Sequence, residues 1–413
     1  MGRPPFPLTM RILLIHPLFI RLNDFGACEQ DRLSGLEGLL RLGHTVQVVT
    51  MSGVGQAPEQ HRAFYAERGV PAVVLPYQRS KRSLLRLARL GYLDGAAWEY
   101  GTPTFQAAVA AEIQAFAPEV VWCHGSYMWS PALQARARGI SVVVRSVNFE
   151  SLHHRDEVSR LTFAHRLRVF AKKCGEENAA RGASVLAAIS PAERALYESI
   201  PRHSEIATLP LRALPAFLRP PRRIVDDEAD QPTRPLRVFF MGSSYNIPHN
   251  RAALLFILNE IVPRARAAAP GVFEFHLLGG KIPAPLQASA APDVIFDGFV
   301  PDLEAHLAGM DIALPLWRFG RGMQQKVFEA LCRAFPVITH PRALAGYDFR
   351  DGEHLLHAAE PDEVISALLK LREAAYRQRL SEGAARQSAA LFSGAILDAE
   401  VARILARAAD EKA

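Results

Sequence analysis

A chain of 413 residues, 49% of them hydrophobic and 22% charged, is long enough for two ordinary cores and has the composition of a globular protein. No run of 18 apolar residues is present to span a membrane. The four cysteines (Cys28, Cys123, Cys174, Cys332) lack Cys-x-x-Cys spacing, which argues against a disulfide framework or a cysteine zinc site and for a reducing cytoplasm. A formal charge of +6 points to an anionic partner, whether nucleotide, membrane surface or nucleic acid.

Residues 1–9 have no apolar core of signal-peptide length and read as a disordered leader, with Met10 an alternative start. Residues 11–16 form a continuous apolar run and predict a buried strand. A polar loop with Gly26 follows, then a helix through Leu33, Leu36, Leu39 and Leu40 that stops at Gly43-His44, and a second strand over 45–50. This is a βαβ unit whose first loop lies at the carboxyl end of a strand, the edge where open α/β sheets bind ligands. The loop lacks Gly-x-Gly-x-x-Gly, so a dinucleotide-binding oxidoreductase is disfavoured.

Further strands are predicted over 72–75, 120–123, 141–145 and 184–189, mostly separated by helices, the pattern of a parallel sheet covered on both faces. Two strand ends carry polar residues: His124-Gly125-Ser126-Tyr127, and Ser146-Val147-Asn148-Phe149-Glu150. A histidine after a strand fits a structural role as well as a catalytic one. In residues 79–89, Arg79, Arg82, Arg86 and Arg89 recur at helical spacing opposite Leu84, Leu87 and Ala88. A basic amphipathic helix of this kind suits an anionic membrane surface or an ordinary solvated face, and residues 166–173 repeat the theme.

The stretch 210–235, rich in proline, arginine and acid, reads as a linker, and its acidic cluster over 226–230 as a solvated loop rather than a metal site. Residue 236 restarts the α/β pattern: a strand over 236–241, a Gly242-Ser243 turn able to meet phosphate oxygens, then Pro248 and Asn250 preceding a helix that runs to about Ala268. Strands over 273–279, 294–300, 311–316 and 335–339 follow, and the tail from Ala389 to Ala409 reads as helical.

Between the last two strands lies Trp317-Arg318-Phe319-Gly320-Arg321-Gly322-Met323-Gln324-Gln325-Lys326-Val327-Phe328-Glu329-Ala330-Leu331. Its glycines let backbone approach a ligand, and a helix beginning there offers unpaired N–H groups and a positive dipole end. Arg318 and Lys326 can hold a diphosphate, and Glu329 can accept two ribose hydroxyls. The bland alternative is a Lys326–Glu329 pair on one helix face with Arg318 solvated.

The arrangement Arg-x-Gly-x-Gly-Met-x-x-Lys-x-x-Glu-Ala-Leu, with Pro336-Val337 and Ala343-Leu344-Ala345-Gly346 after it, resembles the donor-binding segment of family 4 glycosyltransferases, which have the GT-B architecture. Gly43-His44 before the second strand and the Gly298-Phe299-Val300 turn, which in the family holds the nucleobase, extend the resemblance over nearly the whole chain from Met10. There are departures. Gly26-Ala27 stands where most members have two glycines, Val147 where a histidine is expected, and Arg321 where many carry a second glutamate. A positive charge at Arg321 would favour an acidic sugar, or simply point to solvent.

The resemblance implies two facing, doubly wound Rossmann-like α/β domains with a cleft between them: residues 10–211 for the acceptor, a linker over 212–235, residues 236–388 for the donor, and a last helix, 389–413, crossing back to the first domain. It implies a retaining transferase moving a sugar from a UDP- or GDP-linked donor to an envelope glycan or lipid-linked acceptor, with no cofactor or metal required. The enzyme would be cytoplasmic, with a possible peripheral contact with anionic membrane and no nucleic acid partner. Arg318, Lys326, His124 and Asn148 are the catalytic candidates. Gly242, Ser243, Phe299, Val300, Gly320, Arg321, Gly322, Met323, Gln324 and Glu329 are the donor-side candidates, and Gly26, Ala27 and Glu150 lie on the acceptor side. Two other readings stay open: a nucleotide-sugar 2-epimerase of the same fold, and a non-catalytic nucleotide-sugar-binding protein, which Val147 and Arg321 suggest.

Overall fold

A computed structural model describes residues 9–18, 26–53, 55–77, 90–156, 161–224, 234–288, 291–316 and 322–410. They group into two compact units. One is drawn from Met1–Ala213, Arg321–Met323 and Gly394–Ala413, the other from Leu214–Gly320 and Gln324–Ser393. The basic stretch at 79–89 and the acidic cluster at 226–230 lie outside the described residues.

The first unit is built on a parallel seven-stranded sheet. Its strands are β1 (Arg11–Leu18), β2 (Thr45–Met51), β3 (Ala72–Leu75), β4 (Val120–His124), β5 (Ser141–Arg145), β6 (Val185–Ala188) and β7 (Glu205–Thr208). They run in the order β3-β2-β1-β4-β5-β6-β7, so the winding reverses between β1 and β4. Alternation along β1 divides its side chains between two cores. Leu13 and Ile15 pack with Val121, Cys123, Val142 and Val144 on one face, whereas Ile12 and Leu14 pack with Val48, Trp122 and Val143 on the other. Burial on both faces explains why these strands read as unbroken apolar runs. β7 was not anticipated, because Glu-Ile-Ala-Thr is too short and too mixed to stand out.

The helix α1 (Ala27–Arg41) joins β1 to β2. The expected continuous tail helix is instead two helices. One spans Ala374–Phe392, the backbone is extended at Ser393 (ψ 152°), and a new helix, α3 (Gly394–Asp410), follows. α3 completes the first unit, placing Val401, Ile404, Leu405 and Ala408 in the core that holds Ile12 and Leu14. Asp398 on α3 accepts from Arg41 Nε and Nη2 at 3.0 and 2.7 Å.

The second unit has its own parallel sheet: β8 (Leu236–Ser244), β9 (Phe273–Gly280), β10 (Val294–Gly298) and β11 (Ile312–Ala313), in the order β10-β9-β8-β11. A bridge from Ala313 to Val337 continues it towards the short pair β12 (Ile338–Thr339) and β13 (Leu356–His357). Here the winding reverses between β8 and β11. The helix after β8 runs as Pro248–Phe256, a π turn over Ile257–Ile261, then Val262–Ala268. Pro263 cannot donate to the carbonyl four residues back, and the wider turn falls immediately before it.

The start of the proline-rich stretch is not loose. Arg219 N donates to Cys332 O at 2.9 Å, Arg222 N to Ser381 Oγ at 2.8 Å, and the Arg222 guanidinium lies 4.1 Å from the Phe335 ring centroid. Among the described residues no helix is long and apolar enough to cross a membrane.

Candidate active site

In the second unit the winding reversal between β8 and β11 places two chain segments side by side. The expected turn at Gly242-Ser243 is instead the last part of β8, which continues to Ser244 with a register shift against β9 after Met241. After β11 the chain reaches α2 (Gln325–Cys332), which carries Lys326 on its first turn. One buried side chain, Asn250, ties the segments together. Its Nδ2 donates to Ser244 O at 2.8 Å, and its Oδ1 accepts from Lys326 Nζ at 2.7 Å, across 76 positions of sequence. Ser243 Oγ lies 3.4 Å from the same Nδ2. Burial lowers the Lys326 ammonium to about 8, against the pull of Glu329.

The close approach of the ends of β8 and β9 depends on two glycines. A Cβ on Gly242 would come within 2.7 Å of the Tyr245 ring. One on Gly279, at φ +134°, would come within 1.7 Å of the Gly242 carbonyl. The ends of β8 and β9 therefore approach closer than any side chain permits.

Glu329 is buried at 8% exposure and is not paired with Lys326 in a salt bridge. Its Oε1 accepts from Arg333 Nε and Nη2 at 3.1 and 3.0 Å, and its Oε2 from Gln325 Nε2 at 3.4 Å. The simple Lys326–Glu329 face pair is corrected accordingly: each residue has a different partner. Oε2 keeps acceptor capacity, because a carboxylate offers about four lone-pair directions. At the end of β10, Gly298 adopts φ +68° and Phe299 is 80% exposed, with Val300 half-buried beside it. Arg318, Gly320 and Arg321 lie outside the described residues. Gln324 is the residue before α2.

Gly322 and Met323 group with the first unit. Met323 Sδ lies 3.5 Å from Leu211 N, and a Cβ on Gly322 (φ +79°) would meet Asn148 Oδ1 at 2.4 Å. Ser146 Oγ donates to Asn148 O at 2.9 Å, and the backbone that follows Asn148 is anchored. Glu193 Oε1 accepts from Phe149 N at 2.9 Å, and Glu176 accepts from Ser151 N and Oγ at 2.8 and 2.6 Å. Glu150 lies 3.5 Å from Lys172 Nζ, which also reaches Asp94 at 3.2 Å. Val147 is buried. His154 meets the His165 ring at 6.1 Å. Gly26 caps the exposed start of α1, and Ala27 is its first residue.

At the first unit's reversal point, His124 ends β4 and stacks on His16 of β1, ring centroids 5.6 Å apart. Beneath them is a buried cluster. Arg212 Nη2 donates to Asp31 Oδ2 at 2.9 Å and to His124 Nε2 at 2.6 Å. Arg145, fully buried, lies 3.4 Å from Asp31 and donates to the carbonyls of Leu209 and Pro210. A guanidinium only donates, so His124 Nε2 accepts and the imidazole is neutral. Burial and Arg212 hold His124 down to about 3, against the pull of Asp31. Asp31 titrates well below the usual carboxylate range: burial alone would raise it, but Arg212 and Arg145 overcome that. Of this cluster only His124 had been singled out from sequence. Asp31, Arg145 and Arg212 carry no local signal, and Asn250 was visible only as a residue near a helix start.

Both halves of the sequence match family descriptions: "Glycosyl transferase 4-like domain" over residues 32–212 and "Glycosyl transferases group 1" over residues 235–374. The chain belongs to the family 4-like glycosyltransferases of the GT-B fold. No curated protein matches the enzyme by sequence. Solved structures share its fold at low identity. Sucrose-phosphate synthase from Thermosynechococcus elongatus is 15% identical, with a TM-score of 0.67 over 95% of this chain and 98% of that one. Anabaena HepE, solved with UDP, is 14% identical, with a TM-score of 0.64 over 96% and 100%. A glycosyltransferase from Rickettsia africae is 11% identical, with a TM-score of 0.65 over 97% and 98%.

Proposed function

We propose that this glycosyltransferase moves a sugar, with retention of anomeric configuration, from a nucleoside-diphosphate sugar to a glycan or lipid-linked acceptor. The observation that carries the reading is the Lys326–Asn250–Ser244 chain of hydrogen bonds, which sets a half-buried ammonium beside the end of β8. As the anomeric C–O bond breaks, negative charge grows on the departing diphosphate. A fixed cation and the positive dipole end of α2 stabilise that charge without rearranging. The diphosphate oxygen takes the proton of the incoming acceptor hydroxyl, whose oxygen bonds to the anomeric carbon on the same face.

Arg318 and the Gly320–Gly322 backbone are assigned to the same diphosphate from the sequence pattern, and Glu329 Oε2 to the ribose. The turn ending in Phe299 and Val300 is assigned to the base. Uracil is the favoured base, since Anabaena HepE has been solved with UDP-glucose. A glycan acceptor is favoured because TarM of S. aureus has been solved with UDP and alpha-GlcNAc-glycerol. The acceptor is assigned to the first unit, near His16, His124, Asn148 and Glu150.

A peripheral contact with anionic membrane on the cytoplasmic side is supported by the helix Phe163–Gly182. Phe163, Leu167 and Phe170 recur at helical spacing with exposures of 83, 41 and 47%, among Arg166, Arg168 and Lys173. Apolar side chains at this exposure beside cations suit an interface better than bulk water.

A thermal-shift screen over nucleoside diphosphates and their sugars tests the reading. One diphosphate and its sugar should raise Tm by mass action, and transfer to an envelope extract should then be detectable. If no nucleoside diphosphate or sugar nucleotide shifts Tm, the proposal fails.

A further inference from the structure

In the second unit, three side chains from different elements converge on one point. They are His276 from β9, Asp297 from β10 and His306 from the helix Leu303–Ala308. His276 Nδ1 and His306 Nε2 lie 3.2 and 3.3 Å from Asp297 Oδ1, and one donor atom from each of the three residues falls within 4.8 Å of the others. We propose that these three residues bind a divalent transition-metal ion of the zinc class, with Glu274 orienting His276.

Two imidazoles and a carboxylate are a donor set for zinc, whereas calcium and magnesium take oxygen ligands. Zinc bonds of about 2.0–2.2 Å place tetrahedral ligands roughly 3.3–3.6 Å apart. Two of the three separations are already close to that range.

The outer contacts point the same way. Glu274 Oε1 lies 2.8 Å from His276 Nε2 and is itself held by Arg237 Nε at 3.2 Å. A carboxylate behind a histidine fixes the tautomer that turns the other nitrogen's lone pair forward, as in many metal centres. His276 Nδ1 then faces the Asp297 carboxylate, an arrangement that requires a positive charge between them.

A proton on His276 is the other possible source of that charge, and the two neighbouring carboxylates do raise its pKa. A proton there does nothing for His306, however. His306 Nε2 is buried and has no hydrogen-bond partner among the described residues, although a carboxylate oxygen is only 3.3 Å away. One metal ion satisfies both imidazoles and the carboxylate. The His306 side chain is 26% exposed, against 7% for His276 and 9% for Asp297, so it is the ligand nearest to solvent. The ion's role is structural: it joins β9, β10 and the helix after the Gly298 turn. No part of the sugar-transfer reading depends on it.

The experiment uses the full chain, stripped with a chelator and titrated with Zn²⁺ by calorimetry and with Co²⁺ by visible absorption. The wild type should bind one equivalent, show tetrahedral cobalt bands and gain thermal stability. His306→Ala, at the most exposed ligand and so the variant most certain to fold, should lose at least about tenfold in affinity, and Glu274→Gln about 10–100-fold. His203→Ala, an exposed histidine of the first unit, should leave both titrations unchanged. Absence of saturable one-to-one binding by the wild type, or equal affinity in His306→Ala, overturns the proposal and leaves a protonated His276 as the cluster's cation.

Discussion

Asp31 and Arg212 stand 181 positions apart, yet the Asp31 carboxylate accepts both the Arg212 backbone N–H at 2.7 Å and its guanidinium Nη2 at 2.9 Å, with Asp31 fully buried. The pair fits because Gly35, one turn further along α1, has no side chain: a Cβ there would lie 2.0 Å from Arg212 Nη1. The pairing pins the chain that leaves β7 against the carboxyl edge of the first sheet.

Removing the carboxylate should be costly. Asp31→Asn leaves Arg145 and Arg212 buried without their counter-charge, a loss of about 3–5 kcal/mol, readable as a fall in the urea midpoint. The wild type should also depend on pH through this group. Its folded pKa lies below its unfolded one, so the stabilisation is complete above about pH 4 and is lost as pH falls through the folded value. Asp31→Asn should flatten that acid limb, and an unchanged limb would assign it to other carboxylates.

Lys326 should give opposite signs for stability and for binding. Burial lowers its folded pKa to about 8, so the folded state sheds a proton before the unfolded state does, and this group's contribution to stability rises from about pH 8 to pH 10. Over the same range its charge disappears, and nucleoside-diphosphate affinity should weaken. Lys326→Ala should cost about 1.5–3 kcal/mol of that affinity at pH 7 with the fold intact. Retained affinity in Lys326→Ala would place the diphosphate elsewhere.

Glu329→Gln separates a ribose contact from a structural one. It weakens the Arg333 pairing, so Tm should drop modestly. If Oε2 accepts the ribose hydroxyls, UDP binding should fall more than binding of 2′,3′-dideoxy-UDP. Equal losses for both ligands would leave Glu329 only as the partner of Arg333.

The exposed face of the helix Phe163–Gly182 can be tested with vesicles. Phe163→Ser with Phe170→Ser should reduce sedimentation with anionic vesicles, and added salt should weaken what remains. Indifference of the wild type to anionic vesicles would make this an ordinary, if unusually apolar, solvent face.

Much of the fold was legible because parallel strands buried on both faces, such as Ile12–Ile15 and Val142–Val144, announce themselves as apolar runs. Short strands escaped notice: β13 has two residues and β7 has four. Over residues 317–331, sequence spacing singled out Lys326 and Glu329 as candidates but could not assign their partners. Asn250 and Arg333 acquire those roles only through packing. The Asp31 cluster was invisible for the same reason, since nothing near Asp31 in the chain announces Arg145 or Arg212. The His276–Asp297–His306 convergence likewise joins residues with no motif spacing between them.

The helix α3 fills the core that also holds Ile12 and Leu14, although it is the last described element of the chain. On the ribosome, therefore, the first sheet emerges early but stays unfinished on one face until residues 394–410 are made. At elongation rates of about 5–20 residues per second, the intervening stretch of nearly 200 residues takes on the order of 10–40 seconds. During that delay the second unit, which runs to Ser393, is itself being made, while the first has an apolar strip waiting for its cover. In the order of completion, the half of the molecule that begins first finishes last.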